Sequence, residues 1–207
     1  HEVLANKSRI KSAIHNRFGV DVIPGSYIFQ SAFNPLKLKD KLRLVKNDYD
    51  FIIIDSSPSL NEEVLSAILA SDHLFVVSTP DYPTLYCSLR AARLAKQRGR
   101  PIAGIILNKI RDPSYELTLK EIEETIEIPV VAKILDDKIA TRSLFTRIPI
   151  PIYNKKSQFA KEISNLCTAI TNTKEKRSLL NFIFPDFKRE QVNRQILKEG
   201  FYSSSFS

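Results

Sequence analysis

The apolar residues of this chain form short continuous runs that alternate with runs spaced three or four residues apart. The clearest continuous run is Phe51–Ile54, which follows Asp50 and ends at Asp55. Four consecutive apolar residues without alternation predict a strand that is covered on both faces, as in a parallel sheet. Candidate strands are Val20–Ile23, Phe51–Asp55, His73–Thr79, Ile102–Asn108, Val130–Ile134 and Ile148–Ile152, and helical patterns lie near 2–16, 36–47, 61–71, 83–99, 115–126, 137–146 and 157–171.

This alternation of strands and helices predicts an α/β fold, a doubly wound and mostly parallel sheet with helices on both faces. The alternation stops near residue 171. We therefore expect one domain over residues 1–171 and a tail over residues 172–207.

The tail begins with a basic and then apolar segment. Its basic residues are followed by bulky apolar ones, and Pro185 ends any helix there. The members are Lys174, Lys176, Arg177, Leu179, Leu180, Phe182, Ile183 and Phe184. Such a segment is typical of a peripheral contact with an anionic membrane surface, and equally of an extension that docks on its own domain or on a partner. Both interpretations stay open.

The composition limits the classes of protein to which this chain can belong. The 207 residues are 43% hydrophobic and carry a net charge of +8, which suits a folded domain. No apolar run approaches the roughly 20 residues of a membrane span, so we expect a cytoplasmic protein. Cys87 and Cys167 lie far apart and the three histidines do not cluster, which disfavours a transition-metal or iron–sulfur site.

Charge is distributed unevenly. Residues 49–80 hold five acids and no bases, whereas residues 81–111 hold seven bases and one acid. Arg90, Arg93 and Arg100 follow helical spacing, which is typical of a solvated helix face and also of a phosphate-backbone contact.

Asp55 is the first candidate site residue, because ligands of open α/β sheets bind outside the carboxyl ends of the strands. An aspartate in this place is also an ordinary helix cap.

The wider sequence pattern favours a ligand site at Asp55. The run from Asp50 to Leu60, the run Leu74–Asp81 and the run Gly104–Lys109 together resemble the MinD/ParA family of ATPases with a deviant P-loop. The resemblance extends to about residue 170 and is greater to MinD than to the DNA-partitioning branch.

The resemblance implies ATP and Mg²⁺ as cofactors and a P-loop NTPase-like fold. By this resemblance Asp55 matches the aspartate at the end of the Walker B strand, which helps to hold magnesium through water. Asn108 matches the asparagine that contacts the adenine edge. Asp136 and Asp137 fall in the loop over the base, where they are equally suited to cap the following helix. Pro80 precedes Asp81 in a loop near the partner subunit, a pair also common in turns.

Two departures from the family matter. Ser59 stands where the family usually has a glycine that allows the switch backbone to respond to the γ-phosphate. The motif GxxxxGK[ST] is missing, because none of Gly19, Gly25, Gly99, Gly104 and Gly200 opens such a loop. In the family this loop lies in a βαβ unit upstream of His1. We therefore expect a piece of a longer protein that does not hydrolyse ATP as printed.

Three functions follow. The first is a MinD-like ATPase of cell division or cellular positioning, an ATP-dependent homodimer that attaches to the inner face of the cell membrane and responds to a regulatory activator protein. The second is a ParA-like partition ATPase that binds DNA non-specifically through arginines such as Arg90 and Arg93. The third is a non-hydrolysing adaptor that retains the fold.

Overall fold

The computed structural model describes residues 1–25, 34–56, 61–100, 102–112, 114–171 and 189–203. The chain divides into two compact units, His1–His73 with Arg98–Arg100, and Leu74–Gln97 with Pro101–Ser207. Each unit is described by itself.

The first unit contains a two-stranded antiparallel hairpin and two helices. Its elements are β1 (His15–Arg17), β2 (Val20–Val22), α1 (Leu38–Arg43) and α2 (Glu62–Ala70), with 3₁₀ turns at Ile10–Ala13, Pro35–Lys37 and Lys46–Asp48. Phe18 and Gly19 connect the two strands with positive φ angles of 54° and 79°, the backbone that two-residue hairpin turns require. Asn61 begins α2 by accepting hydrogen bonds from the amides of Glu63 and Val64, at 3.0 and 3.1 Å.

Three predictions for secondary structure were wrong. The segment near 2–16 contains a 3₁₀ turn and β1 rather than a helix, and the segment Ile148–Ile152 is not a strand but leads into α6, which begins at Ile150 because proline is well suited to a helix start. The third, the strand Phe51–Asp55, is described with the candidate site. The strand predicted at Val20–Ile23 is present as β2, but it pairs in the exposed hairpin rather than in a parallel sheet. The helix predicted near 36–47 is confirmed in part, because α1 lies between two 3₁₀ turns.

The second unit has a three-stranded parallel sheet in the order β3–β4–β5. Its elements are β3 (Leu74–Ser78), α3 (Tyr82–Gln97), β4 (Ile102–Ile110), α4 (Leu119–Ile126), β5 (Val130–Leu135), α5 (Lys138–Thr146), α6 (Ile150–Tyr153), α7 (Gln158–Thr171) and α8 (Arg189–Ser203). In the described parts of the chain, no helix is both long and apolar enough to cross a membrane.

Helices cover both faces of this sheet, as predicted. On one face, Ile105 and Leu107 of β4 pack in a buried cluster with residues of α3 and α4, among them Leu85 and Ile122. On the other face, Val131 of β5 packs with Leu166 of α7 and Leu197 of α8. Alternation along the strands thus divides the apolar side chains between two cores.

Helix α8 was not predicted. It packs on β5 and α7 through Leu197 in the apolar cluster and through polar side chains. Asn193 Nδ2 donates to the carbonyl of Val130 at 2.8 Å and to Glu123 Oε1 at 2.7 Å. Arg194, which is 7% exposed, donates to the carbonyl of Val131 at 3.1 Å. The segment 172–188, with all eight candidate tail residues, lies outside the described residues.

Candidate functional site at the carboxyl ends of the parallel strands

The carboxyl ends of β3, β4 and β5 meet at one edge of the sheet, because the three strands are parallel. Pro80 follows β3, Asn108 lies near the end of β4, and Asp136 and Asp137 follow β5. The structure therefore brings four of the predicted site residues to the same edge of one unit. This is the edge at which open α/β sheets bind ligands.

Asn108 lies where β4 departs from regular pairing with β5. Leu107 pairs with Lys133 and Ile110 pairs with Leu135, so two residues of β4 oppose one residue of β5. Lys109 has a positive φ of 56°, and its amide donates to Asn108 Oδ1 at 2.9 Å. The bulge fixes the half-buried Asn108 side chain beside the strand end. Its amide keeps further donor and acceptor capacity.

Asp136 is tied to the end of β4 by two contacts. Its amide donates to the carbonyl of Ile110 at 2.8 Å, and its Oδ2 accepts from Arg111 Nε at 2.7 Å. The hydrogen bond to Asp136 is the main reason why the pKa of the Arg111 guanidinium is raised above its ordinary value. Arg111 was not among the predicted site residues. Its position directly after an apolar strand is the signal that the sequence offers.

The ion pair Arg111–Asp136 borders a surface cleft of about 440 Å³. Ile110 and Leu135 give it apolar walls, and Lys138 and Thr141 of α5 contribute polar groups. Asn108 lies two residues before Ile110 along β4 and is not one of the lining residues. The combination of apolar walls, a carboxylate and a cation suits one end of a nucleotide.

Asp137 acts as a helix cap. Its Oδ1 accepts from the amide of Ile139 at 2.8 Å, at the start of α5. This is the alternative that the sequence left open for Asp136 and Asp137, and the structure provides the capping contact for Asp137.

Pro80 and Asp81 form the turn between β3 and α3. The Pro80 carbonyl accepts from the amide of Leu117 at 3.1 Å, and Asp81 Oδ1 accepts from the amide of Thr84 at 2.9 Å. Desolvation is the largest influence on the Asp81 pKa and raises it, but the combined hydrogen bonds from Thr79 and Thr84 leave this pKa below its ordinary value. Asp81 is thus an ionised cap at the start of α3.

Asp55 belongs to the other unit, and the predicted buried strand before it is not formed. Residues 51–56 have no regular secondary structure, and Ile53 is 91% exposed. The physical reason is that a strand needs a hydrogen-bonded neighbour. In the described part of the chain, none of the strands β1–β5 pairs with residues 51–56. Asp55 is exposed. Ser59 lies outside the described residues.

A magnesium site formed by protein side chains alone is not supported by the described residues, which contain no group of three or more histidine, cysteine, aspartate or glutamate side chains able to hold a metal. Mg²⁺ in nucleotide sites is commonly bound by one or two carboxylates, water and the phosphates. A water-mediated role of Asp55 is compatible with that arrangement and stays a prediction.

This chain is similar to several known proteins. The AAA domain family matches residues 2–91. An uncharacterised ATP-binding protein of Methanocaldococcus jannaschii is 29% identical over 182 residues, which cover 86% of this chain and 69% of that protein. A virulence plasmid ParA family protein of Chlamydia psittaci is 29% identical over 83% of this chain and 72% of its own length.

A solved structure has the same fold. The septum site-determining protein MinD from Pyrococcus horikoshii, in complex with Mg-ADP, superposes with a TM-score of 0.76. The match covers 86% of this chain and 76% of that one, at 24% sequence identity. The predicted α/β fold is therefore confirmed, and the two relatives above share the sequence resemblance.

Proposed function

We propose that this chain belongs to a MinD/ParA-like P-loop ATPase, and that the intact protein is a MinD-like ATPase of cell division or cellular positioning. It binds ATP with Mg²⁺, pairs with a second copy when ATP is bound, and attaches to the inner face of the cell membrane. A regulatory activator protein triggers hydrolysis and release.

The observation that carries this proposal is that Asn108 and Asp136 lie near the ends of adjacent strands, and that Asp136 lines the cleft of about 440 Å³. An asparagine amide donates and accepts at once, as an adenine edge requires. Ile110 and Leu135 offer apolar surface to a base, and Lys138 offers a charge to a phosphate. The M. jannaschii relative described as ATP-binding and the Mg-ADP complex of the P. horikoshii protein support the same ligand.

Hydrolysis depends on a part that the printed sequence does not contain. A GxxxxGK[ST] loop supplies backbone amides and a lysine to the β- and γ-phosphates. We propose that the intact protein contains such a loop, and that Asp55 then holds Mg²⁺ through water. The 207-residue chain alone is expected to hydrolyse no ATP.

Pairing would matter for membrane attachment. The tail carries Leu179, Leu180, Phe182 and two further bulky residues behind its bases. A single short anchor binds weakly, whereas two anchors in one dimer bind far better through effective concentration. ATP-dependent pairing therefore becomes a switch for membrane binding.

The nucleotide site is tested with Asn108→Ala in the intact protein. Loss of two side-chain hydrogen bonds should weaken ATP binding about tenfold or more, at roughly 1 kcal/mol for each bond. Titration with a fluorescent ATP analogue measures the change. Thr168→Ala, an exchange on α7, is the control. Equal affinity of Asn108→Ala and the unaltered protein would overturn the assignment of Asn108.

The tail is tested by replacing Leu179, Leu180, Phe182, Ile183 and Phe184 with serine. This variant is preferable to a deletion, because a deletion of 172–207 would also remove α8 with its contacts to β5. We expect ATP-dependent sedimentation with anionic vesicles to be lost while ATP binding is retained. Unchanged sedimentation would refute the membrane role of the tail.

The partition alternative retains one specific observation, since the positively charged side chains of Arg90 and Arg93 are both exposed along α3. Arg100 is engaged, because its Nη2 donates to the carbonyl of Leu69 at 3.2 Å. Non-specific DNA binding through phosphates would weaken steeply with salt. If the protein retains DNA in an ATP-dependent manner, and Arg90→Glu with Arg93→Glu abolishes this retention, the result would favour the partition ATPase.

The adaptor alternative has a different test. Nucleotide binding without hydrolysis in the intact protein would favour the adaptor.

A further inference from the structure

Large apolar side chains project into solvent where α5 turns into α6. Leu144 is 75% exposed and Phe145 is 83% exposed at the end of α5, and Ile152 of α6 is 57% exposed. We name residues 138–156 the α5–α6 corner. Nearly complete exposure of adjacent Leu and Phe side chains is unfavourable in water, so such residues mark an interaction surface when they cluster.

The charge around these side chains has one sign. From residue 138 to residue 161 the chain carries six bases and no acid. The bases of the corner itself are Lys138, Arg142, Arg147, Lys155 and Lys156, and all five are exposed. A surface of this kind is complementary to an anionic partner.

Helical geometry places Phe145 among these cations. Lys138, Arg142 and Phe145 are separated by four and three residues along α5, so they share one face of the helix. Ser143 lies on the opposite side and is 5% exposed. The buried side fixes α5 to the unit while the Phe145 side faces solvent.

The corner is a structured turn. Arg147 ends α5 in the left-handed conformation, with a φ of 57°. The amide of Ile148 donates to the carbonyl of Ser143 at 3.2 Å, and the amide of Tyr153 donates to the carbonyl of Pro149 at 2.9 Å. The apolar side chains are therefore presented by a hydrogen-bonded backbone, and little ordering is needed when they bind.

The charge and the apolar side chains of the corner together select among three possible partners: a second copy, DNA and a bilayer. In a symmetric contact with a second copy, this basic surface would lie against itself. Repulsion between the like charges opposes such a contact. A DNA backbone would satisfy the bases but leave Leu144 and Phe145 without a partner, since phosphate contacts are polar. An anionic bilayer accepts both groups, with apolar side chains inserted at the level of the acyl chains and cations on the headgroups.

We propose that the α5–α6 corner is a membrane-contact surface of the folded unit, which inserts Leu144 and Phe145 into an anionic bilayer. This contact adds to the tail contact proposed above and requires neither ATP nor pairing. Its failure is therefore distinguishable from failure of the proposed ATPase, which the Asn108→Ala titration tests separately.

The test uses the 207-residue chain without nucleotide and vesicles of equal parts phosphatidylglycerol and phosphatidylcholine. Leu144→Ser with Phe145→Ser is compared with Val192→Ser and Ile196→Ser, two exposed apolar residues of α8. We expect the corner variant to lower the vesicle partition coefficient about tenfold or more, because two inserted side chains are lost. The α8 variant should bind as the unaltered chain does. Circular dichroism confirms folding of each variant.

Two further comparisons separate the sources of binding. The corner exchange is also made in the tail variant described above, in which Leu179, Leu180, Phe182, Ile183 and Phe184 are serine. In that background the fold loss of vesicle binding caused by the corner exchange should be at least as large. Arg142→Gln with Lys156→Gln should weaken binding to the anionic vesicles, whereas Arg90→Gln with Arg93→Gln, which removes the same charge from α3, should not. Pure phosphatidylcholine vesicles should bind the chain poorly.

The proposal is wrong if the corner variant binds the anionic vesicles as well as the unaltered chain does in both backgrounds. It is also wrong if the corner arginine and lysine exchanges reduce retention on double-stranded DNA but leave vesicle binding unchanged, since the surface would then serve nucleic acid.

Discussion

Gly104 of β4 lies directly against Val131 of β5. A Cβ atom built on Gly104 would stand 2.5 Å from one methyl carbon of Val131 and 2.8 Å from the other, and 3.2 Å from the carbonyl oxygen of Pro129. Val131 is fully buried, so its side chain has little room to move. The absence of a side chain at position 104 is thus a condition for close packing at the centre of the sheet.

Gly104→Ala should therefore destabilise the protein by about 1–3 kcal/mol, the usual cost of overpacking a core. Urea unfolding followed by circular dichroism measures the free energy. Val131→Ala removes the two methyl carbons that the new Cβ would meet, so the double variant should be more stable than the sum of the two single changes predicts. Gly25→Ala is the control, because nothing lies within 4 Å of its Cβ position. Strictly additive effects would contradict the packing explanation.

A second prediction concerns the attachment of α8. Asn193 joins Glu123 of α4 to the carbonyl of Val130, and Glu123 Oε1 also accepts from the amide of Val130 at 2.8 Å. Asn193→Ala should cost about 1–3 kcal/mol, because it leaves polar partners at the sheet without their hydrogen bond. Chemical unfolding gives the free energy.

Val192→Ala, one residue earlier on the exposed side of α8, should change the stability little. Proteolysis of native protein offers an independent measurement, since loosened packing of α8 should accelerate cleavage within residues 189–203 in Asn193→Ala. Equal stability of the two variants would show that α8 does not depend on this hydrogen bond.

The three strands of the parallel sheet could be predicted from sequence because their signal is local. Ile105–Leu107 and Val130–Ala132 are continuous apolar runs, and the strands around them are covered on both faces. Helices α3 and α7 carry apolar residues at helical spacing, and they were predicted within one or two residues of their observed bounds. The local sequence of these strands and helices is therefore sufficient to predict where they lie along the chain.

The incorrect predictions concern segments whose structure depends on contacts with residues distant in the sequence. The run Phe51–Ile54 has the composition of a buried strand, but composition does not provide the neighbour with which a strand must pair. Helix α8 was missed because its contacts with the sheet combine Leu197 with Asn193 and Arg194, and the pattern of apolar residues alone does not reveal them. At the candidate site, Asn108 was found through a motif, whereas the ion pair of Arg111 with Asp136 joins residues 25 positions apart and needed the fold to be seen.

A third prediction concerns pH. Thr118 begins α4 in a capping box, in which its amide and its hydroxyl both donate to Glu121 Oε2 at 2.8 Å. The backbone hydrogen bond, followed by the hydroxyl, lowers the pKa of Glu121 below its ordinary value of 4.5. A carboxyl group with a lowered pKa in the folded state stabilises the fold above its unfolded-state pKa and loses this effect as the pH falls through the folded-state pKa.

Glu121→Gln retains a hydrogen-bonding side chain but has no charge to titrate. We expect the unaltered protein to be the more stable of the two at neutral pH, and the difference in melting temperature to shrink as the pH falls below 4.5. Thermal melts of both proteins over a series of pH values measure it. A difference that does not change with pH would contradict the role of ionised Glu121.

The last prediction separates the capping role of Asp137 from a role in nucleotide binding. Because its carboxylate accepts from the amide of Ile139 at the start of α5, Asp137→Ala should lower the free energy of unfolding by about 0.5–2 kcal/mol. Asp137→Ser should recover most of that stability, since a serine hydroxyl also caps. If Asp137 serves α5 alone, Asp137→Ser in the intact protein binds a fluorescent ATP analogue as the unaltered protein does. A variant that is stable but binds the analogue several-fold more weakly would instead assign the Asp137 carboxylate to the ligand.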